Sequence, residues 1–551
     1  MNKLVDFFNK HKLLLAEALL FIVIFIIYKV NADYLSYPDE FINLLGGTSI
    51  NNGEIPYKSF FDHHLPFAWY LAAILLKISF NSYTLFRFWW AVVTFLGLLI
   101  IGFWIRKNHR DFYYYYLGFF ILYPLLAVYF WFHLYLADSL AILFFSIIFW
   151  LLLVQTISKK VNYQVVLVSS LATFCLIFSS MTFLYLALVF YLWQLYLIGF
   201  KSKKIVVFFA VCAAPYIIYF IYLLLTKSLY DFYFANFVYN TKLYISIPNY
   251  VRGRFFNPLK FGLTLIYNFY GSYLPLLTKI KFFDLYLPVG VLAGLGSLTL
   301  LLLLLSKNLM IGTLFFFLLS FSAPRSDIQN YHETDYQGGL FIVLGVISAI
   351  VALYLLKKLK VREVLIDDLR RITQVTLAIF VFFTLIFLLK NTYDKWYQVY
   401  TQKMPHIYDL SYTADFLDQV LDQNDYYWVG PYEPQEEFFV KKPRLPGKYP
   451  TLLPQFREDN YLKSSFISQF EQNPPAVIIF RHEASIFMTP ALEFGKFFLD
   501  WMSSKYTSIE NIKGVNVLKS PTGFNLRTDL YLQDNRREEL LNKLKLNGYI
   551  E

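Results

Sequence analysis

The sequence predicts a polytopic α-helical membrane protein carrying a smaller α/β region in its carboxyl-terminal part. Three observations predict it. Of the 551 residues, 57% are hydrophobic and only 16% charged, a balance that ordinary soluble domains do not show. Apolar runs of the length a helix needs to cross the hydrocarbon, roughly 20 residues, recur from Leu13 to about Lys390. Beyond that point they stop, and short β-rich segments begin. The expected division is a membrane-embedded part, 1–391, and an external soluble α/β part, 392–551.

The apolar runs place spans near 13–30, 83–105, 113–130, 137–157, 162–180, 181–199, 205–226, 285–305, 309–324, 338–356 and 373–390, about eleven in all. The first is too long for a removable signal peptide and lacks its small-residue cleavage pattern, so it is expected to stay as an anchor. Lysine and arginine gather on alternate loops: Lys3, Lys10 and Lys12; Arg106, Lys107 and Arg110; Lys159 and Lys160; Lys201, Lys203 and Lys204; Lys307; then a cluster from Lys357 to Arg371. Short cytoplasmic loops carry the positive excess. The amino terminus is therefore expected in the cytoplasm, and an odd number of crossings of the plasma membrane puts the tail outside, externally or in a periplasm. The net charge of +11 then reads as a topology signal, with no need for a nucleic-acid partner. Cys175 and Cys212 fall in spans, which leaves neither a disulfide framework nor a zinc cluster.

The tail contains "DQNDYYWVG" and "PPAVIIF", β-rich runs bounded by Asn, Asp and Pro, among amphipathic segments such as "TADFLDQVLDQ" and "EFGKFFLDWMSSKY". No Gly-rich phosphate loop, tandem repeat or low-complexity tract occurs.

The ionisable chemistry concentrates on the loops assigned to the external face. "YPDEFINLLGGTSINNGEIPYKSFFDHHLPFAWYL", Tyr37 to Leu71, follows the first span and alternates amphipathic pieces with a polar turn, which suits helices lying in the membrane interface. Ser36 reads as an N-cap, with Asp39 three residues on in a capping-box pattern and acids near the positive end of the helix dipole. The same position holds Asp39, with Glu40 beside it, over the lipid headgroups. Asp138, at the outer end of the fourth span, is a second acid whose cost at a membrane segment marks it as a functional candidate. His63, His64, His133 and His332 map to the same face. With Asp62, Glu333 and Asp335 they leave room for a divalent metal, most directly on His63, His332 and Glu333, but the spacing matches no compact metal motif and the sequence requires no cofactor. Lys58, Arg252, Arg254 and Arg325 are external cations able to hold a phosphate or a headgroup.

"YPDEFINLLGG", "NGEIPYKSFFDHHLPFAWYL", "SYTLFRFWW" and "LADSLAILFF" together resemble the membrane-embedded GT-C glycosyltransferases, in the branch of the protein O-mannosyltransferases and the lipid A aminoarabinose transferase. The resemblance covers roughly the first 200 residues, and the multi-span body with an external tail is similar too. It implies that Asp39 is the catalytic base or acceptor-orienting acid with Glu40 beside it, that Asp138 is the second loop acid, and that His64 stands where relatives often carry a lysine. The implied activity moves a sugar from a polyprenyl-phosphate carrier to an acceptor hydroxyl on a glycan, lipid or protein, with inversion. A carboxylate would draw off the acceptor proton while a cation helps the departing phosphate. Two other classes stay open. A polysaccharide polymerase or ligase would use "SIPNYVRGRFFNPLK", with Arg252 and Arg254. A lipid-linked sugar transporter or flippase would show related halves with broken helices, a symmetry this chain lacks.

Overall fold

The computed structural model describes residues 2–199, 202–243, 287–322, 336–360, 363–401 and 409–551. Among them, nine helices are long and apolar enough to cross a membrane, and the protein is a multi-pass helical membrane protein. All eleven expected spans are helical. Tyr163–Ser179 and Leu309–Phe321 are the two that fall short of full crossing length. Asn162 and Asn308 cap these two helices, accepting from backbone N–H groups of the first turn. Cys175 and Cys212 are both free thiols.

The described residues form two compact units, neither of them one continuous stretch. The first comprises Met1–Leu35, Thr84–Ile218 and Phe261–Ile407. Its most deeply buried helix, Gly339–Lys358, is apolar on every side, as a helix surrounded by other helices must be. It packs closely on Leu287–Lys307, and the sequence shows why: a Cβ added to Gly296 would stand 2.5 Å from the Ala349 methyl, and one on Gly345 would stand 2.4 Å from the Ala293 methyl. Small residues in both helices let the backbones approach, which is how helices associate where burial from water supplies no drive.

The second unit comprises Ser36–Tyr83, Tyr219–Lys260 and Tyr408–Glu551. Its carboxyl-terminal portion holds strands β1 (Tyr427–Gly430), β2 (Val477–Phe480), β3 (Ser485–Ile486), β4 (Thr489–Pro490), β5 (Tyr506–Ser508) and β6 (Leu530–Gln533). Four make a mixed sheet in the order β1-β2-β6-β5, with β1 parallel to β2 and the other pairs antiparallel, while β3 and β4 form a separate hairpin. "YWVG" and "VIIF" are buried on both faces, so they read as continuous apolar runs. Tyr427, Val429, Val477 and Ile479 join a core with Phe416, Leu417 and Leu540. Trp428 points the other way, into the ring edges of Phe466, Phe470 and Phe498.

The first-loop segment of this unit is built from two helices, Pro38–Asn51 and Phe67–Ile78. A Cβ on Gly46 would lie 2.6 Å from the Trp69 ring, and one on Gly47 would lie 2.8 Å from the Ala72 methyl. The "GG" pair is therefore what lets the two helices meet. The short helix Pro434–Phe439 also packs here, with Phe438 and Phe439 each 5.8 Å from the Phe41 ring.

Candidate functional site

Helix Pro38–Asn51 starts one residue later than the capping-box reading expects. Its N-cap is Tyr37, which makes no side-chain cap, and Pro38 occupies the first turn, where its missing N–H and fixed φ cost nothing. Asp39 and Glu40 therefore sit in the first turn, at the positive end of the dipole, and neither closes a box with Ser36. Glu40 is fully buried and accepts a 2.6 Å hydrogen bond from the Tyr83 phenol. Asp39 is half-buried and accepts a 2.7 Å hydrogen bond from the Tyr432 phenol. Tyr432 reaches it because helix Pro434–Phe439 docks on Phe41, the residue next to the acids.

Beside the acids stands a second group. Asp62 is buried and holds both neighbouring imidazoles, with His63 Nδ1 at 3.0 Å and His64 Nδ1 at 2.9 Å, and it accepts the His63 backbone N–H at 2.7 Å. Burial works against the Asp62 carboxylate, but the charge of His64 and the hydrogen bonds from both imidazoles outweigh it, holding the carboxyl well below its usual range. His63 moves the same way for another reason: burial, then the neighbouring His64, push it below the ordinary imidazole value, while Asp62 and Asp39 pull partly back. Asp39 is thus close enough for its charge to act on His63. The loop is fastened from behind by Tyr57, whose phenol donates to the His64 carbonyl at 2.8 Å while its N–H donates to Phe60 O at 2.8 Å. Tyr57 adopts φ +67°, a left-handed conformation that a bulky residue takes only where its surroundings impose it. Asn240 adds a 2.9 Å bond to the His63 carbonyl.

Asp62, His63 and His64 bring three ligating atoms within 4.8 Å of one another. Both Nδ1 atoms face the Asp62 carboxylate, the arrangement by which a carboxylate orients imidazoles, and by itself it requires no metal. His332 and Glu333, the partners expected for His63, lie outside the described residues, as do Arg252, Arg254 and Arg325. Lys58 is exposed, on the same loop as Tyr57.

Asp138 belongs to the first unit. It is buried in the first turn of Ala137–Ser158, where an acid also suits the dipole. Nearby in the chain, His133 Nδ1 lies 3.1 Å from Ala127 O and Nε2 3.0 Å from Tyr34 O, one of which accepts the N–H of the neutral ring, and burial followed by the charge of Arg87 presses its pKa down to about 3. Arg87 itself is buried, with its guanidinium donating to Leu35 O at 3.2 Å and Tyr34 O at 3.3 Å. Lys395 is buried as well, donating to Val128 O at 3.3 Å and standing 5.2 Å from the centre of the Tyr34 ring. Sequence reasoning passed over Arg87, Lys395, Tyr83 and Tyr432. A lone charge inside an apolar run would have found Arg87, whereas Lys395, beside Asp394 in a polar stretch, carries no such signal. No local signal marks the tyrosines.

No protein-family model and no curated protein matches this chain.

Proposed function

We propose that the protein is a membrane glycosyltransferase of the GT-C type that moves a sugar from a polyprenyl-phosphate carrier to an acceptor hydroxyl, with inversion. Asp39 is the base. It takes the acceptor O–H proton as the acceptor oxygen bonds to the anomeric carbon, and the carbon–oxygen bond to the phosphate breaks with its electron pair leaving on the polyprenyl phosphate. Glu40, tied to Tyr83, supports the turn that carries Asp39. His64 and Lys58 are the cations proposed for the departing phosphate, together with Arg252, Arg254 and Arg325, and Asp138 serves as a second acid at the acceptor or donor. The catalytic face is the external one, reached by a donor already flipped across the plasma membrane, with the amino terminus in the cytoplasm.

The observation that carries this reading is the setting of Asp39: a half-buried carboxylate at a helix start, oriented by the Tyr432 phenol at 2.7 Å and electrostatically linked to an Asp–His–His group, in a chain of many membrane helices. The test supplies radiolabelled polyprenyl-phosphate sugars to membranes carrying the parent or Asp39→Asn. Loss of transfer by on the order of 10²–10⁴-fold at equal expression is the expected result. Equal transfer by the two proteins overturns it, and carrier movement across the bilayer without transfer in the parent points instead to a transporter.

A further inference from the structure

The second unit contains another feature, of which the transferase reading uses only Lys58. A cleft of about 970 Å³ opens between the end of helix Pro38–Asn51 with the turn after it and the segment "KKPRLPGK", residues 441–448. Five cations line it, Lys58 from the turn and Lys441, Lys442, Arg444 and Lys448 from the segment. Lys448 pairs with Asp231 at 3.2 Å. Lys58, Lys441 and Arg444 form no ion pair with any described residue. Against the five cations the lining sets two acids, Glu54 and Glu437, and a cleft lined mainly by one sign of charge draws ligands of the other.

The segment is held rigidly for the purpose. Its backbone N–H groups at Lys441 and Lys442 donate to Asp418 Oδ1 at 3.2 and 2.8 Å, the Arg444 N–H donates to Asp425 O at 2.9 Å, and Tyr427 N–H returns a bond to Arg444 O at 2.9 Å. Asn473 fastens the Pro446 carbonyl at 2.8 Å, and Pro443 and Pro446 restrict the backbone between. The cations are therefore displayed from a fixed frame, and less ordering entropy is lost when a ligand arrives.

Two further properties select the class of anion. The walls between the cations carry small hydroxyl and amide groups, among them Thr48, Asn52, Ser468 and Gln472. At the cleft wall Glu437 is buried, 3% exposed, with neither carboxyl oxygen hydrogen-bonded in the protein. Burial, then Glu433, raise its carboxyl well above the usual range. A ligand rich in hydroxyls answers the hydroxyl and amide groups of the walls, whereas a bare inorganic ion fills only a small part of the volume.

We propose that this cleft binds an anionic saccharide, one bearing carboxylate or phosphate groups along a hydroxyl-rich chain. The proposal stands on the lining alone and does not depend on the transferase reading.

The test uses the full chain purified in detergent and measures binding of oligogalacturonate, phosphorylated oligomannose and neutral dextran oligomers of matched length, with vesicles containing phosphatidylglycerol as a separate arm. Either charged oligomer is expected to bind at least tenfold more tightly than dextran, the stronger of the two naming the anion, with affinity falling as salt rises. Lys441→Glu/Arg444→Glu, both exposed, and Lys58→Glu on the opposite wall should each weaken it at least tenfold while the thermal midpoint stays within a few degrees. Equal binding of dextran, full affinity in the charge-reversed proteins, or vesicle binding through these lysines with neither charged oligomer bound would each overturn the proposal. Because no donor sugar is present, the result is independent of whether Asp39→Asn abolishes transfer.

Discussion

The phenol of Tyr432 donates to the carboxylate of Asp39 at 2.7 Å across a separation of 393 residues in the chain. The contact joins the "YPDE" turn to the "GPYEPQEEFF" segment, and it makes Asp39 an oriented group in a half-buried setting rather than a solvated helix-start acid. If Asp39 is the base, Tyr432→Phe lowers transfer by about 10- to 150-fold, the rate equivalent of losing one hydrogen bond to a charged group, about 1.5–3 kcal/mol. The double variant with Asp39→Asn should be no worse than Asp39→Asn alone. Rates for the four proteins check this, and simple additivity of the two losses would separate Tyr432 from Asp39.

Gly46 leaves no room for a side chain. Gly46→Ala puts a methyl 2.6 Å from the Trp69 ring and is expected to destabilise the protein by about 1–3 kcal/mol. Gly118→Ala meets nothing within 4 Å and sits inside Arg110–Tyr129, so it should be neutral or slightly stabilising. Thermal unfolding followed by size-exclusion of the detergent-solubilised protein distinguishes the two.

Acid should weaken the first-loop segment in two stages. His63 binds its proton less readily in the folded protein than unfolded, so its contribution is complete above about pH 6.5 and is lost as pH falls through its lowered folded value. Asp62 is also depressed, and its share is lost further down, below about pH 3.9, as pH falls toward its folded value. Thermal midpoints of the parent should therefore decline between pH 7 and 5, and His63→Gln should flatten that decline. An unchanged slope in the variant would assign the acid sensitivity elsewhere.

Glu437 has the opposite sign. Its folded value is raised, so its contribution is intact below about pH 4.3 and is lost as pH rises through the folded value. Glu437→Gln keeps the shape and removes the titration. At pH 8 it should stabilise the protein relative to the parent by about 1–3 kcal/mol, with the gain shrinking toward pH 5. A constant difference across that range would mean the carboxyl is not the titrating group.

Much of the helical body was legible in the residues, because crossing a membrane demands an uninterrupted apolar run and eleven such runs became helices. Tyr163–Ser179 and Leu309–Phe321 start where expected, behind the caps Asn162 and Asn308, and come out shorter than a full crossing because they end at Ser180 and Ser322. The "YPDE" turn was found, but its start was misplaced: Pro38 at the first helical position shifts the cap to Tyr37, and Glu40 turns to Tyr83. Proximity of Asp62 to both histidines was legible from adjacency. What no local pattern carried was the grouping of the first loop with the tail, since Tyr83, Asn240 and Tyr432 reach the site only through tertiary packing.

Gly296 against Ala349 and Gly345 against Ala293 give Leu287–Lys307 and Gly339–Lys358 a contact made of methyls and main chain, with no long side chain between them to swing aside. Neither rod can roll about its own axis without driving a methyl into the other's main chain. Any rearrangement during a working cycle must carry the two as one beam, and the joints that flex have to be sought at their ends.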